Sequence, residues 1–212
     1  MQIRSLHLGT GSRRLIVALF FILFTFFLVR STIYPFLAPN QPPHRGWMIM
    51  EGWIEDTALK EAIVLYKEGD YTGIYTTGVP LDTGNPLLSF HTYAEMTTAR
   101  LVALGIAPEE IRTVSADYSQ RDRTFQAALA LHEALCADGI TEGDLHLISV
   151  GPHARRSHLL FRTALGDSFS IGISALPDSS YPSDQWYQYS EGARAVLTES
   201  IAYLYALWSP GS

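Results

Sequence analysis

Leu145-His146-Leu147-Ile148-Ser149-Val150, followed at once by Gly151-Pro152-His153-Ala154-Arg155-Arg156-Ser157, decides the fold of this 212-residue chain. The first six residues make an apolar run of strand length. Beyond the turn, Leu160, Phe161, Ala164 and Leu165 recur on one helical face. Strand, tight turn and helix form the repeating unit of a parallel α/β sheet, in which ligands bind outside the carboxyl ends of the strands. This turn sets one His and two Arg at that position. A helix start adds free N–H groups and a positive dipole end, which suit an anion. Without a ligand, the same residues read as solvated arginines and a local hydrogen-bonding His.

The alternation repeats outward from that unit. Residues 47–50 read as a first strand, stopped at Glu51-Gly52. A helix capped by Asp56 or Thr57 runs to about Glu68, with Ala58, Leu59, Ala62, Ile63 and Tyr66 inward, and Gly69 ends it. Residues 74–77 form a second strand closed by Gly78, and a polar loop over 80–89 is long enough to act as a lid or binding loop. A helix over 92–104 and a third strand over 111–114 follow. The next helix, 124–137, is expected to bury Phe125, Ala128, Leu129, Leu135 and Cys136, with His132 as a core histidine. Residues 145–150 and 169–175 are the fourth and fifth strands. An aromatic loop over 181–189 leads to a closing helix, 191–208, expected to turn Val196, Leu197, Ile201, Leu204 and Tyr205 inward. The order predicts an α/β, Rossmann-like three-layer αβα sandwich with a mainly parallel sheet of about five strands.

An N-terminal transmembrane helix is expected to precede it. Residues 15–29 are apolar throughout apart from Thr25; Arg30 can snorkel, Ile33, Tyr34, Phe36 and Leu37 extend the segment, and Pro35 is expected to end the helix at a length, 15–34, that spans a bilayer. Arg13 and Arg14 at its start predict a cytoplasmic N-terminus, residues 1–14, and an extracytoplasmic domain. The competing reading is a cleaved signal peptide, for which no A-x-A site follows Val29. Residues 15–34 are then the anchor, 35–46 a Pro-bearing linker, and 47–208 the α/β domain. The bilayer is thus one expected partner; no protein partner is indicated.

The formal net charge is −6, and the first thirty residues hold four arginines and no acid. The remainder has 15 − 4 = 11 basic against 21 acidic residues, formally −10. That excludes a basic surface for nucleic acid. Four of the 11, Arg121, Arg123, Arg155 and Arg156, lie in two short loops, where they can attract a small anion locally. The single cysteine, Cys136, forms no internal disulfide and reads as a packing residue.

The chemistry-bearing positions gather at strand ends: Glu51 with Gly52, Thr77 with Gly78, Arg121 to Thr124, and His153 to Ser157, with Glu95 in the first turn of its helix. Glu95 also suits the helix dipole alone. No G-x-S-x-G elbow, Walker loop, G-x-G-x-x-G fingerprint or zinc-ligand cluster is present, and no cofactor is named by the residues. A carboxylate pair, His153 and the arginines suit binding of a phosphate or carboxylate, or phosphoester and pyrophosphate cleavage with His153 as general acid or base.

Over residues 47–207 the chain resembles the domain-of-unknown-function family that includes SanA, ElyC and YdcF. Gly52 matches the family's Gly-bearing first turn, Thr77-Gly78-Val79 its Ser-Gly-Gly, Glu95 its helix-opening Glu, Thr124 its Thr, and His153 with Arg156 its His-x-x-Arg. Val79, Arg123 and Ala127 stand where the family has Gly, Asn and Asn, and Arg121, Arg123 and Arg155 make the pocket more cationic. The resemblance implies a Rossmann-like fold and a role in bacterial envelope integrity and wall synthesis, at the inner membrane. It leaves three readings: an enzyme on a phosphorylated, pyrophosphorylated or lipid-linked ligand, a non-catalytic nucleotide- or anion-binding module, and a structural partner of a membrane assembly. Catalysis would fall to His153, Glu51 and Glu95, and ligand binding to Gly52, Thr77, Gly78, Arg121, Arg123, Thr124, Arg155 and Arg156.

Overall fold

The computed structural model describes residues 10–83, 87–119 and 121–209, and the chain divides into two compact units, Met1–Ile33 and Tyr34–Ser212. The first unit holds most of helix α1, Thr10–Leu37, whose large apolar side chains from Leu15 to Val29 are exposed. Within it Arg13–Leu37 is long and apolar enough to cross a membrane, a property that anchors and leader sequences share.

The second unit begins with the last turn of α1. Pro35, where the sequence suggested an end, lies inside the helix. Tyr34 and Leu37 are buried in the domain, so packing carries the helix past the proline. The segment expected as linker also holds β1, Asn40–Gln41, and the start of β2, Arg45–Glu51. After these come α2 (Asp56–Glu68), β3 (Asp70–Gly78), α3 (Tyr93–Ala103), β4 (Ile111–Ser115), α4 (Arg123–Ala137), β5 (Gly143–Val150), α5 (Ala154–Leu165), β6 (Phe169–Leu176) and α6 (Ser190–Trp208). The sheet order is β1-β6-β5-β2-β3-β4. β2 to β6 are parallel, as the alternation predicts. β1 adds a sixth, antiparallel strand, two residues long, that pairs with the outer edge of β6.

The side chains of β2 alternate between two cores. Met48 and Met50 pack with Ile74, Ile148 and Val150 against α2 and Leu101 of α3. Ile49 packs with Tyr75, Leu145, Leu147 and Ile173 against Ala128, Leu131 and Leu135 of α4 and Ala154, Phe161 and Leu165 of α5. The inward face of α2 consists of the five residues the periodicity names. α4 is rotated from expectation. Ala127, Ala128, Leu131 and Leu135 are buried, Phe125, Leu129 and His132 are half-buried, and Cys136, one residue beyond Leu135, is exposed. Expected packing of Cys136 is therefore corrected to a surface position.

α6 departs most. Its buried residues are Gly192, Val196 and Ala206, while Leu197, Ile201, Leu204 and Tyr205, expected inward, face solvent. Close approach is the cause. A Cβ on Gly192 would stand 2.4 Å from the carbonyl oxygen of Trp186, so a face of small residues lies against the domain and the bulky row is turned out.

Gly52 shows the same constraint at the end of β2. A Cβ there would meet the backbone carbonyl carbon and oxygen of Tyr93 at 2.5 Å. Gly52→Ala is expected to cost about 1–3 kcal/mol, because only backbone can yield. Urea unfolding measures this; an unchanged midpoint would mean that α3 does not press on the strand end.

Candidate functional site

The chain leaves β2 at the centre of the sheet, winds outward through β3 and β4, then returns to lay β5 on the other side of β2. The winding direction therefore reverses between β2 and β5. Their helix-bound turns diverge at that point, and a crevice opens beyond the strand ends. A cavity of about 510 Å³ lies here, lined by Glu51, Thr77, Gly78, Arg123, Thr124, His153 and Arg156, with Trp53, Tyr93 and Asp122 beside them and Leu160, Ala202, Tyr205 and Ala206 forming an apolar wall.

Four charged groups meet at its polar end. Glu51 is the last residue of β2, His153 ends the turn after β5, Arg156 lies in the first turn of α5, and Glu199 comes from the middle of α6. Ser157 donates to Glu51 Oε1 at 2.9 Å, and His153 Nε2 stands 3.5 Å from the same oxygen. His153 Nδ1 is 2.9 Å from Glu199 Oε1. Arg156 grips Glu199 with both arms of its fork, Nε to Oε2 at 2.8 Å and Nη2 to Oε1 at 3.0 Å. The Trp53 and His153 rings meet in a T-shaped arrangement, centroids 4.7 Å apart. Among the described residues, Glu51 Oε2 and His153 Nε2 are buried without a hydrogen-bond partner, which leaves a polar demand that a ligand can meet.

The charges set one another's protonation. Burial alone would push the His153 ring down, but the Glu51 charge and the bond to Glu199 outweigh it and hold the ring up at about 9. Burial would raise Glu199, yet hydrogen bonds from His153 and Arg156 bring it down to about 2. Glu51, also opposed by burial, is lowered by the imidazolium charge and the Ser157 hydroxyl. At neutral pH the four carry two negative and two positive charges.

A second polar patch lies across the pocket at the start of α4. Asp122, in the left-handed region at φ 50°, precedes the helix without a side-chain cap, so among the described residues no side chain closes its first-turn N–H groups. Thr124 and Arg123 line the cavity beside them, and Arg123 is tied to Asp82 at 2.8 Å. Asp82 thereby reaches over to Arg123 from the loop that the sequence suggested as a lid, of which residues 84–86 lie outside the described residues.

Of the residues expected in one pocket, Glu51, Thr77, Gly78, Arg123, Thr124, His153 and Arg156 are brought together. Gly52 stands outside. Its N–H bonds Thr77 O and its carbonyl accepts from Thr97, so the glycine serves strand-to-helix packing. Glu95 also stands outside: its carboxylate accepts the backbone N–H of His91 at 2.6 Å while its own N–H bonds the Thr92 hydroxyl, which closes the start of α3. Arg121 is exposed on the loop before α4 and does not line the cavity. Arg155 points away, bonding the carbonyl of Phe36 with its guanidinium 4.1 Å from the Phe36 ring centroid. Glu199, Trp53, Tyr93 and Asp82 were not expected. Glu199 is the acid between Val196 and Ala206 on the buried side of α6, a side that the apolar periodicity of the sequence assigns to solvent.

Fold and crevice together define a doubly wound parallel α/β protein with a charged pocket at its switch point. No family model, no curated protein and no solved structure matches the chain.

The quartet predicts a two-sided pH profile of stability. His153 has a raised pKa, so its contribution is complete below its ordinary value of 6.5 and is lost as pH climbs through about 9. Glu199 has a lowered pKa, so its share is complete above 4.5 and is lost as pH falls toward about 2. Urea unfolding across pH should show both limbs, and His153→Gln should abolish the alkaline one. NMR titration of the His153 ring in Glu199→Gln should find its pKa moved down, since burial is then opposed mainly by Glu51; an unmoved titration would remove Glu199 from the cluster.

Proposed function

We propose that this is a single-pass, membrane-anchored envelope protein whose pocket cleaves or transfers a phosphate-containing group, on a phosphorylated, pyrophosphorylated or lipid-linked ligand. The observation that carries the reading is the Glu51–His153 ion pair at the polar end of the switch-point cavity, whose buried Glu51 Oε2 and His153 Nε2 have no hydrogen-bond partner among the described residues. The imidazolium, protonated at neutral pH, is suited to give a proton to a leaving oxygen. Glu51, kept ionised, is suited to take one from an attacking water or hydroxyl. The phosphoryl oxygens would lie at the start of α4, against its first-turn N–H groups, Thr124 and the Arg123 guanidinium. Arg156, occupied by Glu199, holds the imidazole in place and does not clamp the anion.

Two sequence features support the setting. The helix Arg13–Leu37 has the length and apolarity of an anchor, and Arg13 and Arg14 favour an N-terminus in the cytoplasm with the domain outside. The resemblance to the SanA, ElyC and YdcF family, carried by Thr77-Gly78, Thr124 and His153 with Arg156, favours the inner membrane of a bacterium and envelope metabolism.

Full-length protein assayed for phosphate release against phosphomonoesters, nucleotides and prenyl pyrophosphates tests the activity. His153→Gln and Glu51→Gln are each expected to lower turnover by about 10²–10⁴-fold. Binding that survives in His153→Gln without turnover supports catalysis. Binding by the unaltered protein with no turnover of any substrate assigns the pocket to a binding module.

A further inference from the structure

The carboxyl-terminal half of α6 carries apolar surface that the domain leaves uncovered. From Ile201 to Trp208 the sequence is Ile-Ala-Tyr-Leu-Tyr-Ala-Leu-Trp, without a charge. Ala206 is buried, whereas Ile201, Leu204 and Trp208 are 70%, 66% and 91% exposed, and Tyr205 and Leu207 are exposed beside them. At 3.6 residues per turn, Tyr203, Leu207, Leu204, Trp208, Ile201 and Tyr205 follow one another round about 200° of the helix. A helix that buries one face on a protein partner shows an apolar stripe of roughly 100°. An arc twice as wide suits a medium that closes round a helix from several sides.

The two ends of the arc have different neighbours. At one end Tyr203 packs edge-on against Phe36, ring centroids 5.6 Å apart. Phe36 belongs to the turn in which the apolar helix joins the domain, flanked by buried Tyr34 and Leu37. At the other end Tyr205 belongs to the apolar wall of the switch-point cavity. Beside Tyr203 runs a second groove, of about 420 Å³, lined by Arg155, His158 and Arg162, with Asp167 as its one carboxylate. Burial pushes the His158 ring down, so the groove is cationic through its two arginines. The unit around it, residues 34–212, carries 11 basic against 21 acidic residues, so this is a local reversal of sign.

We propose that this surface rests on an anionic lipid bilayer, with the arc of α6 in the interfacial layer and Arg155 and Arg162 against lipid phosphates. The inference rests on the anchored reading given above and adds a second, non-spanning contact. Tyr and Trp are suited to that layer because their rings are apolar and their polar atoms reach water or headgroups. Guanidiniums gain from the negative surface within a Debye length of it. The cavity's apolar wall is thereby brought alongside lipid at Tyr205.

Full-length protein with Cys136→Ser, in vesicles of phosphatidylcholine and phosphatidylglycerol, tests this with a polarity-sensitive fluorophore on one introduced thiol. Leu204→Cys reports the arc, Val64→Cys an exposed site on α2, and Phe27→Cys the apolar run. The Leu204 label is expected to emit blue-shifted and to lose most of its emission to a quencher on the lipid chains, while the Val64 label stays as in water. Leaving out phosphatidylglycerol should weaken the quenching; unchanged quenching overturns the part given to the arginines. A Leu204 label that behaves like the Val64 label, with the Phe27 label quenched, overturns the surface contact and leaves the anchor standing. An unquenched Phe27 label overturns the anchored reading and this one with it. A blue shift at Leu204 that the lipid quencher does not touch overturns the bilayer in favour of a second copy or another protein.

Discussion

A carboxylate placed at the end of the central strand has to be answered by charge. Glu51 is 4% exposed, and burial on that scale is tolerated only with compensation. His153 supplies the compensating charge and incurs the same need. Glu199 answers His153, and Arg156 answers Glu199. The chain of alternating signs joins β2, the turn after β5, α5 and α6, elements with wide separations in sequence. Removal of any one member strands a partner in a nearly dry place, so the cluster works as a unit and not as a sum of pairs.

The topology provides the opening that the cluster needs. A sheet wound in one direction only would cover the end of β2 with the next connection. Because β5 returns to the other side of β2, α2 leaves on one face and α5 on the other, and the strand ends between them stay uncovered. Close packing by glycine keeps the opening narrow. Gly52 and Gly78 both let the start of α3 sit against the strand ends, with Tyr93 at the cavity wall. The site is therefore held by backbone contact on one side and by ion pairs on the other.

The five parallel strands, the helices between them and the inner face of α2 were legible because each rests on a local period or a terminal glycine. β1 was not, since two residues against an edge have no period. α6 misled for a physical reason. Periodicity identifies the apolar side of a helix, and in a globular domain that side is ordinarily inward; here small residues make the contact and the apolar side is free. The error hid Glu199, whose place on the buried side becomes visible only once Gly192, Val196 and Ala206 define it. Strand ends named most of the pocket, because parallel turns share one edge. They also named Gly52, Glu95, Arg121 and Arg155, since spacing reports which turn a residue occupies and not where its side chain points.

The last helix of the domain completes the charge pattern of the first strand. A chain that emerges amino-terminus first holds Glu51, His153 and Arg156 long before Glu199 arrives. During that interval the histidine lacks the carboxylate that keeps its ring protonated, and the arginine has no fork to fill. The charge pattern of the pocket is thus complete only once α6 has docked, and a product cut short before α6 holds all six strands with His153 and Arg156 left without their carboxylate.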